Sequence, residues 1–161
     1  MYSKVKIMGH PIHPVLVAYP IALYTSTLVA YIIYAVNKDP FFFKAAVAAN
    51  VAGIVMAAIT ALPGFIDWSM GIPSGTPAKS HGLTHMLLNV TALVLFIINA
   101  VIHTGNWTSP SGEGSGIILA LLGVACTVGA GYFGWTMIQT DHVGVQLTPE
   151  QEQLDRRMRT G

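Results

Sequence analysis

An all-α, four-helix transmembrane bundle is the fold class this sequence predicts, and three observations predict it. Of the 161 residues, 53% are hydrophobic and only 9% are charged, where soluble domains carry about 25% charge. The charges gather at the N-terminus, in short connections and near the C-terminus, leaving four long apolar runs. Each run is bounded by Pro, Gly, Asn or Asp, the residues that turn a chain. The runs alternate up-down-up-down, and a short cytoplasmic C-terminal helix follows them. Residues 1–147 form the membrane domain and 148–161 an amphipathic tail.

The first span covers about 15–36, a stretch with no charge. At about 1.5 Å per residue it matches a hydrocarbon core of about 30 Å. Pro14 sits in the first turn, where a missing N–H costs nothing. Pro20 should kink the helix and free the carbonyl of Leu16, which lipid tolerates only under protein cover. Asn37-Lys38-Asp39-Pro40 is a tight turn, so the first two spans are antiparallel neighbours.

The second span covers about 41–66, with Lys44 able to snorkel near its start. Ala45, Ala49, Ala52, Gly53, Ala57 and Ala61 form a stripe of small residues. Such a stripe lets helices approach closely, or leaves room for a flat ligand. Pro63-Gly64 is expected to break the helix just before Asp67 and Trp68. Gly71 to Lys79 reads as a loop. The third span covers about 81–103 and the glycine-rich fourth about 116–138. In the tail, Thr148-Pro149-Glu150-Gln151 reads as an N-cap, a proline at the first helical position and a capping-box glutamine.

Several classes are excluded. The net charge of +1 and the lack of a basic stripe speak against a nucleic-acid partner. The single cysteine, Cys126, excludes an intrachain disulfide and a cysteine-based metal site. No cleavable leader is expected, because the first apolar run begins late and is too long. No HExxH, nucleophilic-serine or phosphate-loop motif occurs, so a subunit is expected rather than a stand-alone enzyme. Lys4, Lys6, Lys79, Arg156, Arg157 and Arg159 flank one side of the spans, and Lys38 and Lys44 the other. By the positive-inside rule both termini are cytoplasmic.

On that topology five of the six histidines fall at the cytoplasmic end. His10 and His13 precede span one, His81 and His85 open span three, and His142 follows span four. Asp67 joins them from span two. His103 stands alone at the far end, where it reads as a helix-end residue. Ionisable groups at membrane depth are functional candidates by default. His81 and His85 share a face one turn apart, with His85 the deeper and Asn89 continuing inward. His142 beside Asp141 reads as a surface pair, and Asp67 either caps the Gly71 loop or pairs with a histidine.

These residues carry a resemblance. Gly9-His10-Pro11-Ile12-His13-Pro14 through Tyr19-Pro20-Ile21 is one motif. Gly64-Phe65-Ile66-Asp67-Trp68, then Ile72 to Thr76, Ala78-Lys79, Gly82-Leu83-Thr84-His85 and Asn89 form the second. Gly129 to Gly134 with Val143-Gly144-Val145 is the third. Together they resemble an uncharacterised bacterial family of four-helix membrane proteins, a domain of unknown function. The resemblance covers nearly the whole chain and implies the bacterial inner membrane. It singles out His10, His13, Asp67, His85 and Asn89, and does not require His81, His103 or His142. Some relatives are fused to a Rieske-type iron–sulfur domain, which implies an association with electron transport.

Three readings follow. In the first, His13 and His85 ligate one haem b, with Ala and Gly of spans two and four flanking the ring, and electrons pass to or from a quinone or a redox partner subunit. In the second, His10, His13, Asp67 and His85 hold a single Zn, Fe or Cu ion. In both, Asn89, His81 and His142 support the site. In the third, the chain is an accessory subunit whose histidines form a structural hydrogen-bond network. Its glycine faces then meet other subunits, identical or different.

Overall fold

The computed structural model describes residues 3–145 and 147–160. A hairpin of β1 (Lys6–Ile7) and β2 (His10–Pro11) leads into α1 (His13–Leu16) and α2 (Ala18–Asn37). Then come α3 (Pro40–Ile66), a π-helical turn (Asp67–Gly71), α4 (Pro77–His103), a 3-10 turn (Thr104–Asn106), α5 (Glu113–Gln139) and α6 (Pro149–Thr160). Four helices are long and apolar enough to cross a membrane: His13–Asn37, Pro40–Gly71, Pro77–Asn106 and Glu113–Gln139. Their outward surface is apolar, with Val36, Leu62, Val101 and Val128 all exposed. Lipid is the solvent such a surface suits.

The first span is interrupted at Val17, between α1 and α2. Pro20 has no N–H for the Leu16 carbonyl, so the interruption falls where the proline requires it. Pro20 itself is buried. Lys38 ends α2 in the left-handed region (φ 57°), and Asp39 caps α3 by accepting from the Phe41 N–H. Lys38 also pairs with Glu113 at the start of α5, a bond that holds its ammonium above the ordinary lysine pKa.

Three boundaries correct the sequence expectation. Pro63 does not break the second span; the helix runs on to Ile66 and continues as the π turn. The third span begins at Pro77 rather than about 81, because Thr76 caps it by accepting from the Lys79 N–H and Pro77 takes the first helical position. The fourth begins at Glu113, after Gly112 with φ 81°. The tail helix has the expected capping box. Thr148 N–H donates to Gln151 Oε1 (2.9 Å), and Gln151 N–H donates to Thr148 Oγ1 (3.3 Å). Gly161, the last residue of the expected tail, lies outside the described residues.

The spans pack in a ring: α2 on α3, α3 on α4, α4 on α5, and α5 back on α2. Spans one and three therefore face each other across the axis, where their rings meet in three layers. His13 meets His85 at the end that carries the N-terminal hairpin, Tyr24 stacks on Phe96 at mid-depth, and Tyr31 meets His103 at the opposite end. From 13 to 85, 24 to 96 and 31 to 103 is the same step of 72 residues.

Spans two and four supply glycines against those rings. Gly64 backs His13 and Gly53 backs Tyr24; Gly134 backs His85 and Gly123 backs Phe96. From 64 to 134 and 53 to 123 is the same step of 70 residues. In the His13/His85 and Tyr24/Phe96 layers the second helical hairpin thus repeats the contacts of the first, as two units related about the bundle axis would. The Tyr31/His103 layer departs from the pattern, since Gly116 of span four backs Tyr31 of span one. The small residues seat aromatic and imidazole rings: a Cβ at Gly123 would come within 2.5 Å of Phe96, and one at Gly53 within 2.8 Å of Tyr24.

Candidate functional site

His13 is the first residue of α1, and Pro14 follows it in the first turn. What holds it there is the N-terminal lead. Asp67 accepts from the Ser3 hydroxyl (2.7 Å), the Lys4 N–H (2.6 Å) and the Val5 N–H (3.1 Å). Val5 then accepts from the Ile12 N–H (3.2 Å). The hairpin between them turns through Met8 and Gly9, both with positive φ. Three donors on one carboxylate fix the lead against the end of span two. Asp67 therefore neither pairs with a histidine nor caps the Gly71 loop; it positions the strand that delivers His13.

His13 Nδ1 lies 3.0 Å from the Thr60 carbonyl oxygen. A carbonyl only accepts, so Nδ1 carries the hydrogen and the neutral ring keeps its lone pair on Nε2. The ring lies against Gly64, where a Cβ would come within 2.7 Å of it. His85 is held in the same way. Its Nδ1 donates to the Ala130 carbonyl at 2.8 Å, and its ring lies against Gly134, where a Cβ would stand at 3.3 Å. The anchoring carbonyls, Thr60 and Ala130, are again 70 residues apart.

The two ring centroids are 6.2 Å apart and the ring planes cross at 84°. Both rings are half-buried. One feature breaks the likeness between the two sides. Asn89 Nδ2 donates to His85 Nε2 (3.1 Å) and to the His85 carbonyl (2.9 Å), whereas the residue 72 positions earlier is Val17. The Asn89 contact confirms which nitrogen of His85 holds the lone pair.

The other histidines lie elsewhere. His10 is exposed on β2, its backbone paired with Ile7. His81 Nδ1 stands 2.8 Å from Asp141 Oδ2, so Asp141 pairs with His81 and not with its neighbour His142. His142 adopts a left-handed turn conformation (φ 54°) after span four.

His103 is not a simple helix-end residue: it is wholly buried. Its Nδ1 is 2.8 Å from the Asn99 carbonyl, and its Nε2 is 2.9 Å from the Gly112 carbonyl and 3.2 Å from Ser115 Oγ. Asn99 beside it accepts from the Tyr31 hydroxyl and donates to the Gly116 carbonyl. This network ties spans one, three and four together at the end opposite His13 and His85. Among the described residues, no three of His, Cys, Asp and Glu gather as a metal site would require.

Residues 9–147 match a family described as predicted membrane proteins, DUF2231. The chain belongs to the DUF2231 family. The match spans the hairpin turn, all four spans and the turn that follows the fourth. No curated protein and no solved structure matches the chain. In this DUF2231 chain sequence reasoning named Gly64 and Gly134 within motifs but missed their part as ring seats, and missed the anchors Thr60 and Ala130 altogether. Their signal was present as glycines one turn beyond the carbonyls that the imidazoles use.

Proposed function

We propose that this DUF2231 chain is an electron-transfer subunit of the bacterial inner membrane, with both termini cytoplasmic, holding one haem b between His13 and His85. The observation that carries the reading is the pair itself. Two imidazoles ligating one ion in line, each through a bond of about 2.0–2.1 Å, have ring centres about 6 Å apart; His13 and His85 stand at 6.2 Å. Each Nδ1–H is fixed on a backbone carbonyl, the outer bond that orients metal-binding imidazoles and raises their basicity.

The donor count favours haem over a bare ion. A non-haem Zn, Fe or Cu site built from protein needs three or four donors. Haem iron needs only axial donors from the protein, and two is what the chain brings together. Of the other two candidates, Asp67 accepts from Ser3, Lys4 and Val5, and His10 is exposed in the hairpin. Bound haem would supply one-electron transfer, with a quinone or a redox subunit as the partner at that end of the bundle. The chain's own part is to supply two Nε2 lone pairs, that of His85 once Asn89 releases it, to hold both rings in tautomer, and to insulate them with the lipid-facing helices.

The test is a visible spectrum of the detergent-purified protein, oxidised and dithionite-reduced, after expression with haem precursor. A Soret band and reduced α band in the wild type, lost in His13→Ala and in His85→Ala, are expected. No haem in the wild type, or a haem that survives both changes, overturns the assignment. Stoichiometric metal without haem by elemental analysis replaces it with the bare-ion reading.

A further inference from the structure

The interior of the bundle holds two polar groups that no protein atom serves. Asn50 on α3 is 0% exposed, and neither Nδ2 nor Oδ1 has a hydrogen-bond partner among the described residues. The hydroxyl of Tyr24 on α2 is likewise buried and unpartnered. Both lie in the middle of their spans, away from headgroups and bulk water. An unsatisfied amide or hydroxyl at such depth is destabilising, because neither water nor lipid supplies the missing bond.

The repeated contacts act as an internal control. The step of 72 residues carries Tyr24 to Phe96, and the step of 70 carries Asn50 to Ala120. Phe96 and Ala120 are both fully buried, and they fill the same layer with no polar atom. Packing alone therefore does not call for the amide or the hydroxyl on the first hairpin.

The register of α2 against α3 places the two groups close in level. His13 meets Gly64, Tyr24 meets Gly53 and Tyr34 meets Phe43. The same antiparallel register sets Asn50 opposite Thr27, one turn from Tyr24. Thr27 is fully buried, and its hydroxyl donates to the Leu23 carbonyl (2.9 Å), which leaves its lone pairs to accept. An amide needs one donor and one acceptor, and a species that supplies both at the scale of a single side chain is water. Buried waters make two to four such bonds to otherwise unserved groups.

We propose that Asn50 and the Tyr24 hydroxyl, with Thr27 beside them, form a binding site for internal water at mid-depth between spans one and two. The site is independent of the haem assignment, and it lies in the first hairpin at the layer that Phe96 and Ala120 fill in the second. The test is radiolytic hydroxyl-radical footprinting of the full-length protein in detergent, read by mass spectrometry. Radicals formed from bound water mark the side chains next to it, and Tyr31, a fully buried phenol whose hydroxyl is bonded to Asn99, is the control. Labelling of Tyr24 several-fold faster than Tyr31 is expected in the wild type, falling towards the Tyr31 rate in Asn50→Leu. Labelling of Tyr24 no faster than Tyr31 in the wild type overturns the proposal without recourse to any variant. A folded Asn50→Leu protein that labels like wild type removes Asn50 from the site.

Discussion

His13 and His85 are held by the same construction on opposite sides of the bundle axis. Each donates Nδ1–H to a backbone carbonyl, of Thr60 and of Ala130, and each rests on a glycine, Gly64 or Gly134. The likeness is local and physical. A glycine one turn past the accepting carbonyl removes the Cβ that would stand in the ring's place, and the ring then reaches the carbonyl.

The two seats differ in tightness, and that sets the first prediction. A Cβ at Gly64 would lie 2.7 Å from His13, whereas one at Gly134 would lie 3.3 Å from His85. Gly64→Ala must push the imidazole off Thr60, which costs about 1–3 kcal/mol as overpacking does. Gly134→Ala asks only for a shift of a few tenths of an ångström and should cost less than about 1 kcal/mol. Unfolding in detergent of the two variants side by side checks the order; equal effects, or the reverse, would show that the ring is not seated as described.

The second prediction concerns the lead to His13. Asp67→Ala removes the acceptor of the Ser3 hydroxyl and of two backbone N–H groups. Hydrogen bonds to a charged group contribute about 1.5–3 kcal/mol each. Local opening of the lead should become easier by at least one such bond, so amide hydrogen exchange at Lys4 and Val5 should speed up by about ten- to a hundredfold. Exchange in the spans should not change. If Lys4 and Val5 exchange at the wild-type rate, the carboxylate is not what holds the lead.

Much of this was readable in the sequence, and what was not has identifiable causes. Four spans, the turn at residues 37–40, the interruption near Pro20 and the capping box at Thr148 follow from hydropathy and from backbone chemistry local to each residue. The pairing of His13 with His85 follows from placing charges and turns on one topology. The start of the third span was hidden because Ser74-Gly75-Thr76-Pro77 reads equally as loop and as cap. Pro63 suggested a break that the helix passes through. Asp67 and His103 could not be read because most of their partners are backbone groups, Lys4 and Val5 for one and Asn99 and Gly112 for the other, and sequence carries no signal for a backbone partner. The repeated contacts were missed because they reside in ring and glycine positions, with little identity between the halves.

The third prediction separates the two buried imidazole sites. His103 has the carbonyls of Asn99 and Gly112 on its two ring nitrogens, its single N–H serving one of them, and lies far from the proposed haem. His103→Ala removes that bond and empties a fully buried site, which should destabilise the protein by about 2–4 kcal/mol. The visible spectrum of the fraction that remains folded should equal the wild type's. His85→Ala should do the converse, abolishing the haem bands at lower cost in stability, since its ring is only half-buried. Loss of haem in folded His103→Ala would move the cofactor to the other end of the bundle.

The fourth prediction turns on Asn89, the residue that distinguishes the two sides. Its amide donates to His85 Nε2, the same lone pair that ligation requires. That bond must be given up when Nε2 binds iron, while the second bond, to the His85 carbonyl, can persist in both states. A neutral hydrogen bond contributes about 0.5–1.5 kcal/mol net. Removing it beforehand takes that cost out of binding, so Asn89→Val, which copies Val17 on the other side, should bind haem about two- to tenfold more tightly. Titration of haem into apoprotein, followed at the Soret band, measures the change. Weaker binding by Asn89→Val would mean that Asn89 orients His85 for the cofactor through its second bond, to the His85 carbonyl.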